Sequence, residues 1–198
     1  MASHAQAERI RMKAQLAAQE PADVKEARER VQRFFLACSK NDVDDAECLI
    51  KEGVPIDSTD AAGCTALMKA SRVGQLELAN LLINSGAHLE THQLNARAPL
   101  AWAADAGQLA VVMLLLEKGA LVDAVDSGGY TALHLAVRAG RNDVVRALID
   151  AKADISSLTK AGYSPLMFAA VKNEEIIARY LIKSGCDVEW CNESGFSA

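Results

Sequence analysis

Aromatic side chains are scarce in this sequence, at 5% of 198 residues, although 51% of the residues are apolar. That shortage argues against a sheet core built on valine, tyrosine and phenylalanine. It favours helices drawn together over small residues such as alanine. Long apolar runs are lacking too. The longest, Leu109 to Leu116, falls far short of the roughly 20 residues that cross a bilayer as a helix, so no membrane insertion is expected. Basic charge is not in surplus: the formal net charge is −5. A surface that grips phosphates needs Lys or Arg, so nucleic acid is not an expected partner. The cysteines, Cys38, Cys48, Cys64, Cys186 and Cys191, are odd in number and include no C-x-x-C pair. No hydrophobic signal segment opens the chain. Reduced thiols in a cytoplasmic or nuclear protein are the expectation.

Catalytic signatures are also missing. There is no phosphate-cradling glycine loop of the Walker or dinucleotide type, and no nucleophile elbow. Glu174 and Glu175 are adjacent, so on a helix they diverge and read as solvated surface rather than an acid–base pair. His88 and His92 stand four apart, a metal-ligand spacing on a helix. They fall in a turn region, however, and no third ligand accompanies them. The expectation is a chain that is no enzyme and needs neither cofactor nor metal.

What is present is a repeat. Leu is followed three residues later by Ala, and four residues after that by Gly or Asn. Leu67, Ala70 and Gly74 form one copy; Leu100, Ala103 and Gly107, then Leu133, Ala136 and Gly140, then Leu166, Ala169 and Asn173 form the next, each 33 residues on. Phe34, Ala37 and Asn41 form a weaker first copy. Leu and Ala three apart share a helix face, and Ala lets the neighbouring helix approach. Gly or Asn ends the short helix because left-handed backbone is cheap only there.

A second apolar helix follows, with Leu78, Leu81, Leu82 and Ile83 in one copy and Val111, Leu114, Leu115 and Leu116 in the next. Val144, Ala147, Leu148 and Ile149, then Ile177, Tyr180, Leu181 and Ile182, continue the series. It ends at Gly53, Gly86, Gly119 and Gly185, with Lys152 once in the same place. A left-handed Lys152 should cost about 1 kcal/mol. Between the pairs lie stretches such as Asp57 to Gly63 and Asp123 to Gly129, which read as projecting hairpin-like turns.

The spacing, the two short helices and the tetrapeptides Thr65–Met68, Ala98–Ala101, Thr131–His134 and Ser164–Met167 resemble the T-P-L-H pattern of the ankyrin-repeat family. The resemblance runs from about Val24 to Ala198. It implies an all-α fold: a solenoid of stacked helix-turn-helix units with projecting β-hairpin-like turns. In the family the Thr and His of the tetrapeptide hydrogen-bond within and between repeats. Only Thr131 and His134 keep both here; Ala98 and Ala101 cannot bond in this way.

The resemblance also implies a protein–protein interaction module that binds another protein through its concave face and turn tips. The alternative is the regulatory portion of a larger enzyme, channel or adaptor. The positions it points to on the first helices are Lys69, Arg72, Trp102, Asp105, Leu135, Arg138, Phe168 and Val171. On the turns they are Asp60, Gln93, Leu94, Arg97, Asp126, Tyr130, Lys160, Tyr163 and Phe196. Trp102, Leu135 and Phe168 share one register, either as an exposed apolar stripe that anchors a partner or as packing between helices. Arg97, Tyr130, Tyr163 and Phe196 share another, as contact residues or as turn packing. Arg72, Arg138 and Lys160 would steer an acidic partner segment.

The ends differ from the middle. Residues 1–20 read as a charged helical or disordered arm, and residues 21–198 as the repeat domain. Val24, Ala27, Val31, Phe34, Phe35 and Cys38 recur at helical spacing after Pro21, which predicts a first helix longer than the others. Asp45 fills a slot that is apolar in later copies, as suits a capping repeat. At the other end, Gly195 to Ala198 aligns with Gly162 to Pro165, the start of another copy. The last complete copy has no polar capping substitutions, which suggests a fragment of a longer protein, a truncated gene product, or a unit that buries its end against a partner, including end-to-end self-association through an uncapped repeat.

Overall fold

The computed structural model describes residues 22–90 and 97–188. Ten helices form five antiparallel pairs among these residues. The pairs are α1 (Ala22–Lys40) with α2 (Val43–Lys51), α3 (Ala66–Val73) with α4 (Leu76–Asn84), and α5 (Pro99–Ala106) with α6 (Leu109–Glu117). Then come α7 (Ala132–Arg138) with α8 (Asn142–Asp150), and α9 (Pro165–Lys172) with α10 (Glu175–Lys183). First helices pack on first helices and second helices on second helices, so each pair leans on the next. The all-α repeat stack expected from the sequence is what forms. The arm (residues 1–20) and Gln93, Leu94, Cys191 and Phe196 lie outside the described residues.

Local chemistry sets each boundary. Thr65, Thr131 and Ser164 accept the amide protons of Met68, His134 and Met167, capping α3, α7 and α9. Ala98 has no side-chain oxygen and leaves α5 uncapped, with Pro99 opening the helix instead. Asn41 and Asn173 end α1 and α9 at φ 57° and 56°, and Lys152 follows α8 at φ 68°. The lysine thus takes the left-handed geometry that its slot demands. The long first helix also forms: α1 has 19 residues, whereas α3 has 8. Asp45, at the otherwise apolar slot of α2, lies 3.7 Å from Arg33.

The core runs as rows across the pairs. Leu67, Leu100, Leu133 and Leu166 form one buried row; Ala70, Ala103, Ala136 and Ala169 form a second; Leu78, Val111, Val144 and Ile177 form a third. Each residue can leave water only against its counterparts in adjacent repeats. The turns between pairs close in hairpin fashion. The Asp126 amide donates to Tyr130 O at 3.0 Å and the Gly129 amide to Asp126 O at 2.9 Å; Asp60 and Thr159 repeat the pattern with Cys64 and Tyr163. A single antiparallel bridge, Thr59 to Thr65, is the only β pairing among the described residues.

Two polar ladders join the repeats. Carboxylates of Asp57, Glu90 and Asp123 accept the amide protons of His88, Leu121 and Asp154 at 3.0, 2.9 and 2.9 Å. Burial pushes the Glu90 carboxyl above its usual range, and the Leu121 amide opposes the shift. On the other edge, Gln75 donates to Cys38 O at 3.1 Å, Gln108 to Val73 O at 3.1 Å, and Arg141 to Asp105 O at 3.4 Å. These carbonyls end the preceding first helices, where helical donors run out; Cys38 O also accepts from the Asn41 amide at 3.2 Å.

Candidate functional site

The first helices place Lys69, Trp102, Leu135 and Phe168 in one register and Arg72, Asp105, Arg138 and Val171 in the next. Their charges are mainly basic: α3, α7 and α9 carry Lys69, Arg72, Arg138 and Lys172 and no acid. The turn tips bring Arg97, Tyr130 and Tyr163 over this face. Charge and aromatic surface alternate along it.

Trp102 is half-buried, with the guanidinium groups of Arg72 and Arg97 at 5.4 and 5.3 Å from its ring. Arg97 also binds Asp126 of the next turn at 3.2 Å and Asp105 of α5 at 3.1 Å. Arg138 reaches the same Asp105 at 3.4 Å and lies 5.2 Å over the Tyr130 ring. Tyr130 and Tyr163 flank Phe168 with ring centroids 5.7 and 5.3 Å away. At the other end Lys69 bonds Asp60 at 2.5 Å and sits 5.2 Å over Phe35. That hydrogen bond from Lys69 is the main cause holding the Asp60 carboxyl below its usual range. Lys69, Arg72, Trp102, Asp105, Arg97, Arg138, Tyr130, Tyr163 and Phe168 therefore share one surface.

Two expectations need correction. Leu135 is 0% exposed and offers nothing to a partner. It lacks a polar atom to hold it at the surface, and its register neighbours Trp102 and Phe168 are larger. The stripe is therefore two separate half-buried rings, not a continuous apolar band. Arg138 is no free steering cation either: it pairs at 3.4 Å with Asp105, a carboxylate it shares with Arg97. Arg72 and Lys160 have no carboxylate partner among the described residues.

His134 lies beneath the tips and is fully buried. Its Nε2 is 3.1 Å from both Ser157 O and Tyr163 O. Carbonyl oxygens only accept, so Nε2 carries the proton. Nδ1 then accepts from the Thr131 hydroxyl at 2.9 Å. Burial, the largest cause, pushes the imidazole pKa below its ordinary value, against the two carbonyl contacts that raise it. With its pKa depressed on folding, the ring supports stability fully above about pH 6.5. That support is lost as pH falls from there through the folded-state pKa. His134→Gln should cost about 1–3 kcal/mol near neutral pH and flatten this acid-side decline. Urea midpoints measured above and below about pH 6.5 check both effects; an unchanged decline in the variant would assign it to other groups.

No group of three His, Cys, Asp or Glu side chains among the described residues could hold a metal. The His88 ring is engaged by Asp57, and His92 lies outside the described residues. Cys38 is buried, which pushes its thiol up to about 11 and leaves it unreactive. No helix among the described residues is long and apolar enough to cross a membrane.

A family model described as ankyrin repeats (3 copies) matches residues 13–93, 34–126, 89–159 and 121–190. The chain belongs to the ankyrin-repeat family. No curated protein matches it. Ankyrin-repeat proteins are generally non-enzymatic modules that bind other proteins. The repeats of this ankyrin stack differ in how they are joined. Its third repeat lacks the Thr and His of the tetrapeptide, and there Arg97 reaches Asp126 across the repeat boundary. In the fourth repeat His134 makes the corresponding bridge. The acidic ladder of Asp57, Glu90 and Asp123 was missed in reading the sequence, although its 33-residue period is visible there.

Proposed function

We propose that this chain binds an acidic segment of another protein through its first-helix face and turn tips. The observation that carries the reading is Trp102: a half-exposed indole gripped by two guanidinium groups, one of them, Arg72, without a carboxylate partner among the described residues. Trp and Arg dominate interface energetics, and a carboxylate arriving beside Arg72 would gain charge and indole contact together. Arg97 and Arg138 are already pinned by Asp105 and Asp126, so little side-chain entropy is lost on binding. Lys160 extends the basic surface at the tips.

Trp102→Ala should keep the helical circular dichroism of the parent and weaken partner binding at least about tenfold. Arg72→Ala should weaken it less, and increasingly so at low salt. Quantitative affinity capture with both variants and Tyr130→Ala checks this. A bound protein retained equally by Trp102→Ala would refute the reading.

The last described pair favours a second contact. Val171 and Ile182 are 69% and 50% exposed on α9 and α10, and Ile182 is more exposed than its counterparts Ile83, Leu116 and Ile149. End-to-end pairing of two chains, or cover by a further domain, would take them out of water. Sedimentation should show association that rises with concentration and disappears in Ile182→Lys; a strictly monomeric parent would exclude pairing of chains.

A further inference from the structure

The surface formed by the second helices carries the opposite charge and holds a groove of its own. It runs between α6 and α8 with a cavity volume of about 650 Å³. Leu109, Met113, Leu116 and Ala147 supply apolar walls, while Glu117, Asp143 and Asp150 supply acids. Arg146, the one base of the lining, has its guanidinium 5.6 Å over the Tyr180 ring of α10.

The other repeats serve as controls. At the slot of Met113 they carry Glu47, Asn80, Arg146 and Arg179, and at the slot of Ala110 they carry Asp44, Glu77, Asp143 and Ile176. α6 has therefore lost the polar residues that all four other second helices retain at one or both places. Met113 is 56% exposed and Leu109 38% exposed as a result. At the slot of Ala147 the other repeats carry Cys48, Leu81, Leu114 and Tyr180, all larger than alanine. The small side chain leaves a hollow beside the raised methionine. A helix apolar on most sides is ordinarily buried all round, and α6 is fully buried only along Val111, Val112 and Leu115.

We infer that this groove is a second docking surface, which takes a basic amphipathic helix from a partner protein. A large apolar side chain of that helix fills the hollow over Ala147 against Met113. Flanking Lys or Arg residues pair with Glu117, Asp143 and Asp150. This is helix-in-groove recognition, in which apolar anchors at i, i+3 and i+4 give affinity and charge sets orientation. The surface is independent of the first-helix face and opposite to it in charge.

The probe is a short fluorescein-labelled Leu/Lys peptide with leucines at helical spacing, titrated by fluorescence anisotropy. Two peptides control it: one of the same composition in scrambled order, and a Leu/Glu counterpart. Met113→Gln restores the polar character of the slot, and Ala147→Leu fills the hollow as Leu81 and Leu114 do, so both variants should fold. Each should weaken the probe at least about tenfold, and Asp143→Asn should weaken it and reduce its salt dependence. The Leu/Glu peptide should not bind, and Trp102→Ala should leave the probe's affinity unchanged. Equal binding by the scrambled peptide, equal binding by Met113→Gln and Ala147→Leu, or no binding by the parent would overturn the proposal.

Discussion

Leu133→Ala is expected to destabilise the chain by about 3–5 kcal/mol, the largest effect of any single truncation proposed here. Leu133 is 0% exposed and lies in the middle of the row that joins α3, α5, α7 and α9. Removing its branched carbons loses their transfer free energy and leaves a cavity between helices held from both sides. A stack of repeats adds a second consequence. Its stability is approximately a sum of repeat terms and neighbour interfaces, so a cavity at a central interface weakens coupling between the halves. Urea unfolding should move to lower denaturant and broaden, and hydrogen exchange should show the first three repeats and the last two opening separately. Val125→Ala is the matched control: its side chain is 64% exposed, and its effect should stay within about 0.5 kcal/mol. Equal, small effects for the two substitutions would mean that the leucine row does not carry the stack.

Gly129→Val should cost at least about 2–3 kcal/mol, and Gly53→Ala only about 1 kcal/mol. Both glycines have left-handed backbone, φ 78° and 85°. Their surroundings differ. A Cβ on Gly129 would stand 2.8 Å from the backbone nitrogen of Lys160, while one on Gly53 would meet nothing within 4 Å. Gly53→Ala thus pays the conformational penalty alone. Gly129→Val adds a collision with backbone that cannot step aside without breaking the bond from the Lys160 amide to Gly128 O, 2.9 Å long. That bond ties neighbouring turn tips together, so the variant should also loosen Tyr130 and Tyr163 around Phe168. Denaturation midpoints give the costs. Near-ultraviolet circular dichroism reports on the tips, and equal costs for the two glycines would remove the close-approach argument.

Much of this molecule is legible in its sequence because one period governs it. A residue's row is known once its place within the 33-residue unit is known. That suffices for the buried leucine and alanine rows, the helix ends at Asn41 and Asn173, and the strained Lys152. It also suffices for the missing cap at Ala98. The period does not tell which side chain of a row is covered. Leu135 and Trp102 occupy equivalent places, yet one is buried and the other half-exposed. Covering depends on what the adjacent repeats and turns bring, and those positions vary. The charge partners of Arg97 and Arg138 are set in the same way, by residues that approach from other parts of the stack. The α6–α8 groove had a signal in the sequence, namely Met113 and Ala147 where other repeats carry polar and large residues. It becomes visible only when repeats are compared slot by slot on the second helix.

The ladders bear on function through rigidity. His134, the acids at 57, 90 and 123, and the Gln108 clasp each tie one repeat to the next, so the first-helix face is presented already ordered. Binding then draws on a surface whose ordering entropy was lost on folding.

The most direct test of the central claim is hydrogen exchange of the chain with and without its captured protein partner. The account predicts added protection on α3, α5, α7 and α9 and at the turn tips around Tyr130 and Tyr163, and its loss in Trp102→Ala. Protection confined to α2, α4, α6, α8 and α10, with the first helices and tips unchanged, would contradict it.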